Sequence, residues 1–290
     1  MRKTAHPLAS ALSRRGSVRS LAQHSLLPPS VWKRLPAQNP TTVRLSEEAS
    51  FLYRGPFDRE LCWRGLDWIE GATIRPFFAL AERARVVVDV GANTGLYTLV
   101  ACAASPDLDV VAFEPVGQNI DGLSANLAEN GWRSRCDVRE VAVSNVLGTT
   151  SFHVPFDEFP VSASLFEHGY RGIGGELVTV EVRTLDEELR DCPHVDLVKI
   201  DVEGFEHLVL EGMEEVLDRC SPAIVLECNP DGRIDAISEI LASHGYTFLH
   251  LVDCGPVEIA RIAPDPTEKF RNFLCLARNE DRALWMGGTV

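Results

Sequence analysis

The sequence predicts a doubly wound α/β fold, and three observations carry that prediction. Short continuous apolar runs stand at Arg85–Val90 (RVVVDV), Val195–Asp201 (VDLVKID) and Ala223–Cys228 (AIVLEC), the pattern of strands buried on both faces of a parallel sheet. Apolar helical stretches alternate with these runs, as in a sheet wound by crossover helices. The first run exits into a glycine-rich turn, Asp89-Val-Gly91-Ala-Asn93-Thr-Gly95, where glycines let a ligand approach backbone N–H groups at a helix mouth.

Taken in order, residues 1–46 hold eight basic side chains and no acidic one, and they are expected to form a basic, flexible tail ending in a short helix near Leu26 to Leu35. The same Arg- and Ser-rich, acid-free composition is that of an organelle transit peptide. With no apolar secretory segment and no run approaching the roughly 18 residues of a membrane span, the expectation is a soluble, cytoplasmic protein with no transmembrane segment. Residues 47–84 read as a cap segment, with a helix from Arg75 to Arg83 and with Tyr53, Trp63 and Trp68 either lining a pocket or filling a core. Residues 85–280 are the sheet domain and 281–290 a C-terminal tail.

Within the sheet domain the first strand, Arg85–Val90, leads through the glycine turn to a helix at Leu96–Ala104. Asp109–Glu114 (DVVAFE) is the second strand. Pro115 opens the next helix and Gly131 closes it, each at the position its backbone suits. Cys136–Val143 is a third strand and Val195–Asp201 a fourth, leading into a helix from Gly204 to Arg219. Ala223–Cys228 is the fifth, followed by a helix from Ile234 to His244 and by strands at Thr247–Val252 and Asn272–Ala277. That makes seven main strands. The last connection is too short for a helical crossover and predicts an antiparallel edge pair. Between the third and fourth strands, Thr150–Val154 and the period-two run Leu177–Leu185 (LVTVEVRTL) predict an inserted β-hairpin, joined by the Gly- and Ser-rich stretch Ser162–Gly175.

The net charge of -14 hides a split, because residues 47–290 carry 20 basic side chains against all 42 acidic ones. A body of that charge repels phosphate backbones, so nucleic acid is not an expected partner. Eight cysteines are spread without a C-x-x-C pair, which gives neither a zinc ribbon nor a dithiol motif and reads as small buried side chains in a reducing compartment.

The glycine turn has the spacing D-x-G-x-N-x-G, with Asn93 where a dinucleotide fold has its second glycine. Glu114 stands 23 residues after Gly91 at the end of the second strand, where a carboxylate accepts hydrogen bonds from ribose hydroxyls. The fourth strand ends in Lys199, Asp201 and Glu203, and Asp201 and Glu203 are expected to look into the same crevice as Gly91. The competing reading is structural: Asp201 or Glu203 caps the following helix, and Lys199 sits in a buried salt bridge. Glu227 at the end of the fifth strand is a further pocket acid. His207, one helical turn beyond Glu203, either faces the pocket or lies on the solvated surface. Asp201, Glu203 and Glu227 have the oxygen chemistry of a divalent-ion site, but no spacing demands one, and no metal is expected.

Three segments together, DVGANTGLYT, AFEPVGQNIDGLSANLAENG and VKIDVEGFEHLVLEGM, resemble the FkbM family of S-adenosylmethionine-dependent methyltransferases, from about Phe77 to Ala277. The resemblance implies a class I methyltransferase sheet, Rossmann-like, with its last strand pair antiparallel, and O-methylation of a hydroxyl on a sugar, a polyketide or another small metabolite. It implies that Asp89, Gly91, Asn93 and Gly95 hold the methionine part of the cofactor and Glu114 its ribose. Asn119 fits the pattern F-E-P-x-x-x-N, and Ala142 and Ser144 would border the adenine. Ser162 and Ser164 match, loosely, a Ser-rich segment before the fourth strand and are the substrate candidates together with His207.

Methyl transfer to an alcohol needs the oxygen positioned and its proton removed, so one general base near the methyl group matters most. Glu203 and Asp201 are the candidates, with Lys199 able to tune them. Two rivals use the same sheet: a nicotinamide-dependent oxidoreductase, which the Asn93 spacing disfavours, and a cofactor-binding module without turnover, which the acids at 89, 114, 201 and 203 disfavour.

Overall fold

A computed structural model of the chain describes residues 31, 33–156, 160, 174–230, 232–267 and 269–286. The expected helix near Leu26 to Leu35 falls largely outside them, as do Ser162 and Ser164. The chain divides into two units, Met1–Gly71 and Ala72–Val290. In the first, Thr41–Arg44 (β1) pairs antiparallel with Ser50–Tyr53 (β2). Helix α1 follows at Asp58–Arg64, and α2 (Leu66–Ala81) starts here and runs across the division, with a non-helical Glu70. The end of the expected tail is therefore a strand. Alternate residues Thr41 and Val43 turn inward, a period-two signal too short to be read against a basic background. Tyr53 and Trp63 are core side chains of this unit and Trp68 is exposed.

The second unit is built on an eight-stranded sheet. Val86–Val90 (β3), Asp109–Phe113 (β4), Cys136–Arg139 (β5), Leu197–Ile200 (β9) and Ala223–Glu227 (β10) run parallel. Thr247–Val252 (β11), Gly255–Ile259 (β12) and Asn272–Leu276 (β13) complete the order β12-β11-β13-β10-β9-β3-β4-β5. Strand β13 lies antiparallel between β10 and β11, so the antiparallel pair sits inside the sheet. The edge is β12, which the sequence reading passed over. Its Pro256 lacks a backbone donor, a residue that a sheet tolerates at an edge.

Buried apolar runs account for the strands: every residue of β9, β10 and β13 is buried, Lys199 included. Helix α3 (Leu96–Ala104) is buried from Leu96 to Cys102. Helix α4 spans Gly117–Glu129. Val88, Val90, Val198, Ile200, Ile224 and Leu226 meet Leu210, Val216, Ile237 and Leu241 in the main core. The last two belong to α8 (Ile234–Ser243), whose buried Ile234, Ile237, Ser238 and Leu241 form an i, i+3, i+4, i+7 stripe.

Two expected elements are divided. The third strand breaks after Arg139, and Ala142–Val143 (β6) pairs parallel with Gly175–Arg183 (β8) in a separate sheet of order β6-β8-β7, where β7 is Gly148–Pro155. The inserted hairpin thus gains a third strand and its own small core of Val116, Ala142, Phe152, Val154, Val180 and Val182. A continuous strand pattern carries no mark of a change of sheet. The helix expected from Gly204 becomes α6 (Glu206–Glu211) and α7 (Glu214–Cys220). At Gly212 between them, a Cβ would lie 2.2 Å from the Ser144 carbonyl oxygen, so the chain turns where β6 ends. In the short helix α5 (Leu185–Glu188), which the Thr184 hydroxyl caps, the Asp186 carboxylate accepts the Glu215 and Val216 N–H groups and starts α7.

Candidate active site

The candidate residues gather at the carboxyl ends of β3, β4, β9 and β10, the end of an open parallel sheet where crevices form. Asp89 sits in register between Ala112 of β4 and Lys199 of β9. It is buried, and its Oδ2 accepts a 2.6 Å hydrogen bond from Thr98 Oγ1 in the first turn of α3. Burial raises its pKa to about 6, with the Thr98 hydroxyl and Lys199 opposing.

The turn that follows needs glycine for a stated reason. Gly91 has φ +79, and a Cβ there would stand 1.9 Å from the Asp201 carbonyl oxygen. The loops after β3 and β9 therefore touch backbone to backbone. Gly95, at φ +89, heads α3 where a Cβ would meet Leu123 at 2.3 Å. Asn93 itself takes φ 50, a region that asparagine tolerates better than most residues.

Glu114 ties this turn to the next. Its Oε2 accepts the Asn93 N–H at 2.9 Å, and its Oε1 accepts the Val116 N–H at 3.0 Å and Asn119 Nδ2 at 3.2 Å. Burial nevertheless pushes its pKa to about 7. Asn119 is buried, and its Oδ1 has no hydrogen-bond partner among the described residues.

The loop after β9 holds acids differently. Lys199 is 1% exposed, 3.4 Å from Asp201 Oδ2 and over the Tyr97 ring at 5.0 Å. The buried salt bridge of the structural reading is present, whereas its N-cap is not: Phe205 precedes α6 without a side-chain cap. Glu206 closes the loop instead, its Oε1 accepting the Gly204 N–H at 2.9 Å and the Val202 N–H at 3.4 Å. Its Oε2 is buried without a partner among the described residues, and burial raises its pKa to about 7.

Within that loop Glu203 adopts φ 53, an unusual backbone for a residue with a side chain. Its Oε2 accepts from Asn229 Nδ2 at 3.1 Å. Desolvation first, and then the neighbouring Asp201 charge, raises its pKa to about 7 against the opposing charge of Arg271. Arg271 donates to Asn229 Oδ1 at 2.6 Å and pairs with Glu227 at 2.9 Å, so Glu227 is engaged by a cation at the end of β10.

Four contacts draw the expected residues together: Gly91 with Asp201, Asn93 with Glu114, Asn119 with Glu114, and Lys199 with Asp201. Ala142 lies in the core of the small sheet beside Val116. Ser144 donates its N–H to the Arg183 carbonyl and packs against Gly212. His207 is buried, which removes the solvated alternative, and its Nδ1 has no partner among the described residues. Burial lowers its pKa. Sequence reasoning gave no site role to Thr98, Glu206, Asn229 or Arg271. Thr98 lies nine residues from its partner Asp89, and Arg271 lies 42 residues from Asn229, a separation that only the topology closes.

A family model described as the methyltransferase FkbM domain matches residues 89–248, more than half of the chain. The chain is 30% identical over 192 residues to methyltransferase sdnD of Sordaria araneosa, covering 55% of this chain and 73% of that one. It is 28% identical over 230 residues to the 31-O-demethyl-FK506 methyltransferase FkbM of Streptomyces tacrolimicus, covering 70% and 83%. With the hexuronic acid methyltransferase AglP of Haloferax volcanii it shares 31% identity over 159 residues, covering 54% and 61%.

Proposed function

The chain belongs to the FkbM methyltransferase family, and from that premise we propose that it is an S-adenosylmethionine-dependent O-methyltransferase acting on a hydroxyl of a small molecule or glycan. Membership answers the oxidoreductase rival. S-Adenosylmethionine, when bound, supplies a methyl group on a sulfonium that an oxygen displaces in line without electrophilic help.

The residues fit that group. Three N–H groups already occupy Glu114, which leaves about one of its four lone-pair positions for a ribose hydroxyl. The buried Asn119 Oδ1, which has no partner among the described residues, supplies a second acceptor beside it. A cationic ligand suits strand ends that carry Asp89, Glu114, Asp201 and Glu203, whose carboxyls it would draw toward the charged form.

Proton removal falls to Glu203 in this reading. The observation that carries it is a carboxyl raised to about 7 in a left-handed loop, beside Asp201 and held, among the described residues, by the Asn229 amide. A base with that pKa is matched to neutral pH. Asp201, itself paired with Lys199, raises it and Arg271 opposes, while Glu206 holds the loop that presents it. The printed names of two relatives, for 31-O-demethyl-FK506 and for a hexuronic acid, support the acceptor class and, in the first, oxygen as the methylated atom.

The test is transfer of labelled methyl from S-adenosylmethionine to a panel of hexuronates and polyketide alcohols. The expected product is an alkali-stable methyl ether, formed by the wild type and lost in Glu203→Gln. Tight cofactor binding with no transfer to any acceptor would favour the binding module, and an alkali-labile ester would replace hydroxyl by carboxyl as the acceptor group.

A further inference from the structure

Outside the candidate active site, two cysteines face each other. Cys102 Sγ, in the last turns of α3, lies 3.3 Å from Cys136 Sγ, the first residue of β5. All eight cysteines are free thiols, and a sulfur–sulfur bond is about 2.05 Å long. The two sulfurs are thus a little over one ångström from bonding distance. They are brought together by topology: Cys136 pairs with Val110 on β4, and the neighbouring Arg135 donates to the carbonyls of Cys102, Ser105 and Leu108. That guanidinium fixes the end of α3 against the start of β5.

We propose that Cys102 and Cys136 form a redox-active dithiol that closes to an intramolecular disulfide when the protein meets a peroxide. Cys102 is buried and Cys136 is half-buried, so the oxidant reaches the pair from the Cys136 side. The hydrogen bond between the sulfurs is the first cause holding the Cys102 thiol below its ordinary range, with Arg135 acting in the same direction, and the same bond holds the Cys136 thiol above its own. The Cys102 thiolate, which accepts the Cys136 S–H, attacks a peroxide oxygen, breaking the O–O bond to give a Cys102 sulfenic acid and hydroxide. That hydroxide takes the Cys136 proton as water. The Cys136 sulfur then attacks the sulfenic sulfur, the S–O bond breaks, and the second hydroxide leaves as water on taking the proton that Cys102 had given to solvent. Two thiols and one hydrogen peroxide give one disulfide and two waters, the sulfurs losing two electrons to the peroxide.

The closed bond would clamp α3 to the sheet one helical turn beyond Thr98, the residue that holds Asp89. A disulfide of this kind in a reducing compartment is transient and reports oxidation.

The test uses the full wild-type chain, treated with hydrogen peroxide, alkylated without reduction and mapped by peptide mass spectrometry. The expected result is a cross-linked peptide joining Cys102 to Cys136, absent after dithiothreitol and absent in Cys136→Ser. Cys254 is exposed and serves as the internal control for oxidant exposure. Oxidation of Cys254 with Cys102 and Cys136 both recovered as alkylated thiols would overturn the proposal, as would a bond from either to a different cysteine, or conversion of either to a sulfinic acid without cross-linking.

Discussion

Two strand ends of one sheet hold carboxylates in opposite ways. At the end of β4, Glu114 receives three N–H groups and spends them on joining the turn after β3 to the turn before α4. At the end of β9, Glu203 receives one amide and sits beside Asp201 in a strained backbone. Burial raises both to about 7, yet their surroundings differ. The first carboxylate is built into the framework and has little capacity left over. The second is the carboxylate proposed to take the proton, and Glu206 holds its loop through the Gly204 and Val202 N–H groups. Similar pKa values therefore go with different hydrogen-bond surroundings.

The sharpest break would come at the backbone contact between the two ends. Gly91→Ala drives a Cβ into the Asp201 carbonyl at 1.9 Å and should cost several kcal/mol, enough to prevent accumulation of folded protein. Gly131→Ala is the control, since φ is +73 there and nothing lies within 4 Å; only the backbone penalty of about 1–2 kcal/mol applies. Equal losses in chemical denaturation would mean that the Gly91 contact is not what requires glycine.

Next in size, Glu203→Gln should lower kcat by about 10²–10⁴-fold while leaving S-adenosylhomocysteine affinity near wild type. The rising limb of the pH–rate profile, centred below the ligand-free value of about 7 because the bound sulfonium favours the charged carboxylate, should vanish with it. A retained limb would move the base to another residue.

Thr98→Val removes the hydroxyl from Asp89 and should destabilise the fold by about 1–3 kcal/mol, read as a lowered Tm. The smallest effect is a pH dependence of the ligand-free protein. Asp89, Glu114, Glu203 and Glu206 all titrate higher in the folded chain than as free carboxyls. Their contribution to stability is full below about pH 4 and is lost as pH rises toward the folded values near 6 to 7. Glu203→Gln should flatten part of that decline, and an unchanged slope between pH 5 and 7 would remove Glu203 from the set.

Much of this was legible in the sequence for physical reasons. Parallel strands buried on both faces write continuous apolar runs, so β3, β4, β9 and β10 were found nearly to their ends, and the acids at those ends followed. The edge strand β12 and the hairpin β1–β2 write weak patterns because one side of each meets no core. The break between β5 and β6 was invisible because a residue changes sheet without changing composition. Within the site, the acids were found from their own local motifs. Their partners were not: Asn229 and Arg271 reach Glu203 across 26 and 42 residues of chain in turn, and Thr98 looks like any helix residue until its partner is known. Glu206 lay inside the recognised motif but was given no role, because a carboxylate binding its own loop differs from a reacting one only in its partners.

The most direct test of the division between the two strand ends is S-adenosylhomocysteine binding by calorimetry to the wild type, Glu114→Ala and Glu203→Gln, each first shown folded by circular dichroism. Binding by the wild type and by Glu203→Gln is expected with similar affinity, and a loss of at least about 1.4 kcal/mol, tenfold, in Glu114→Ala. Unchanged affinity in Glu114→Ala, or an equal loss in Glu203→Gln, would contradict that division.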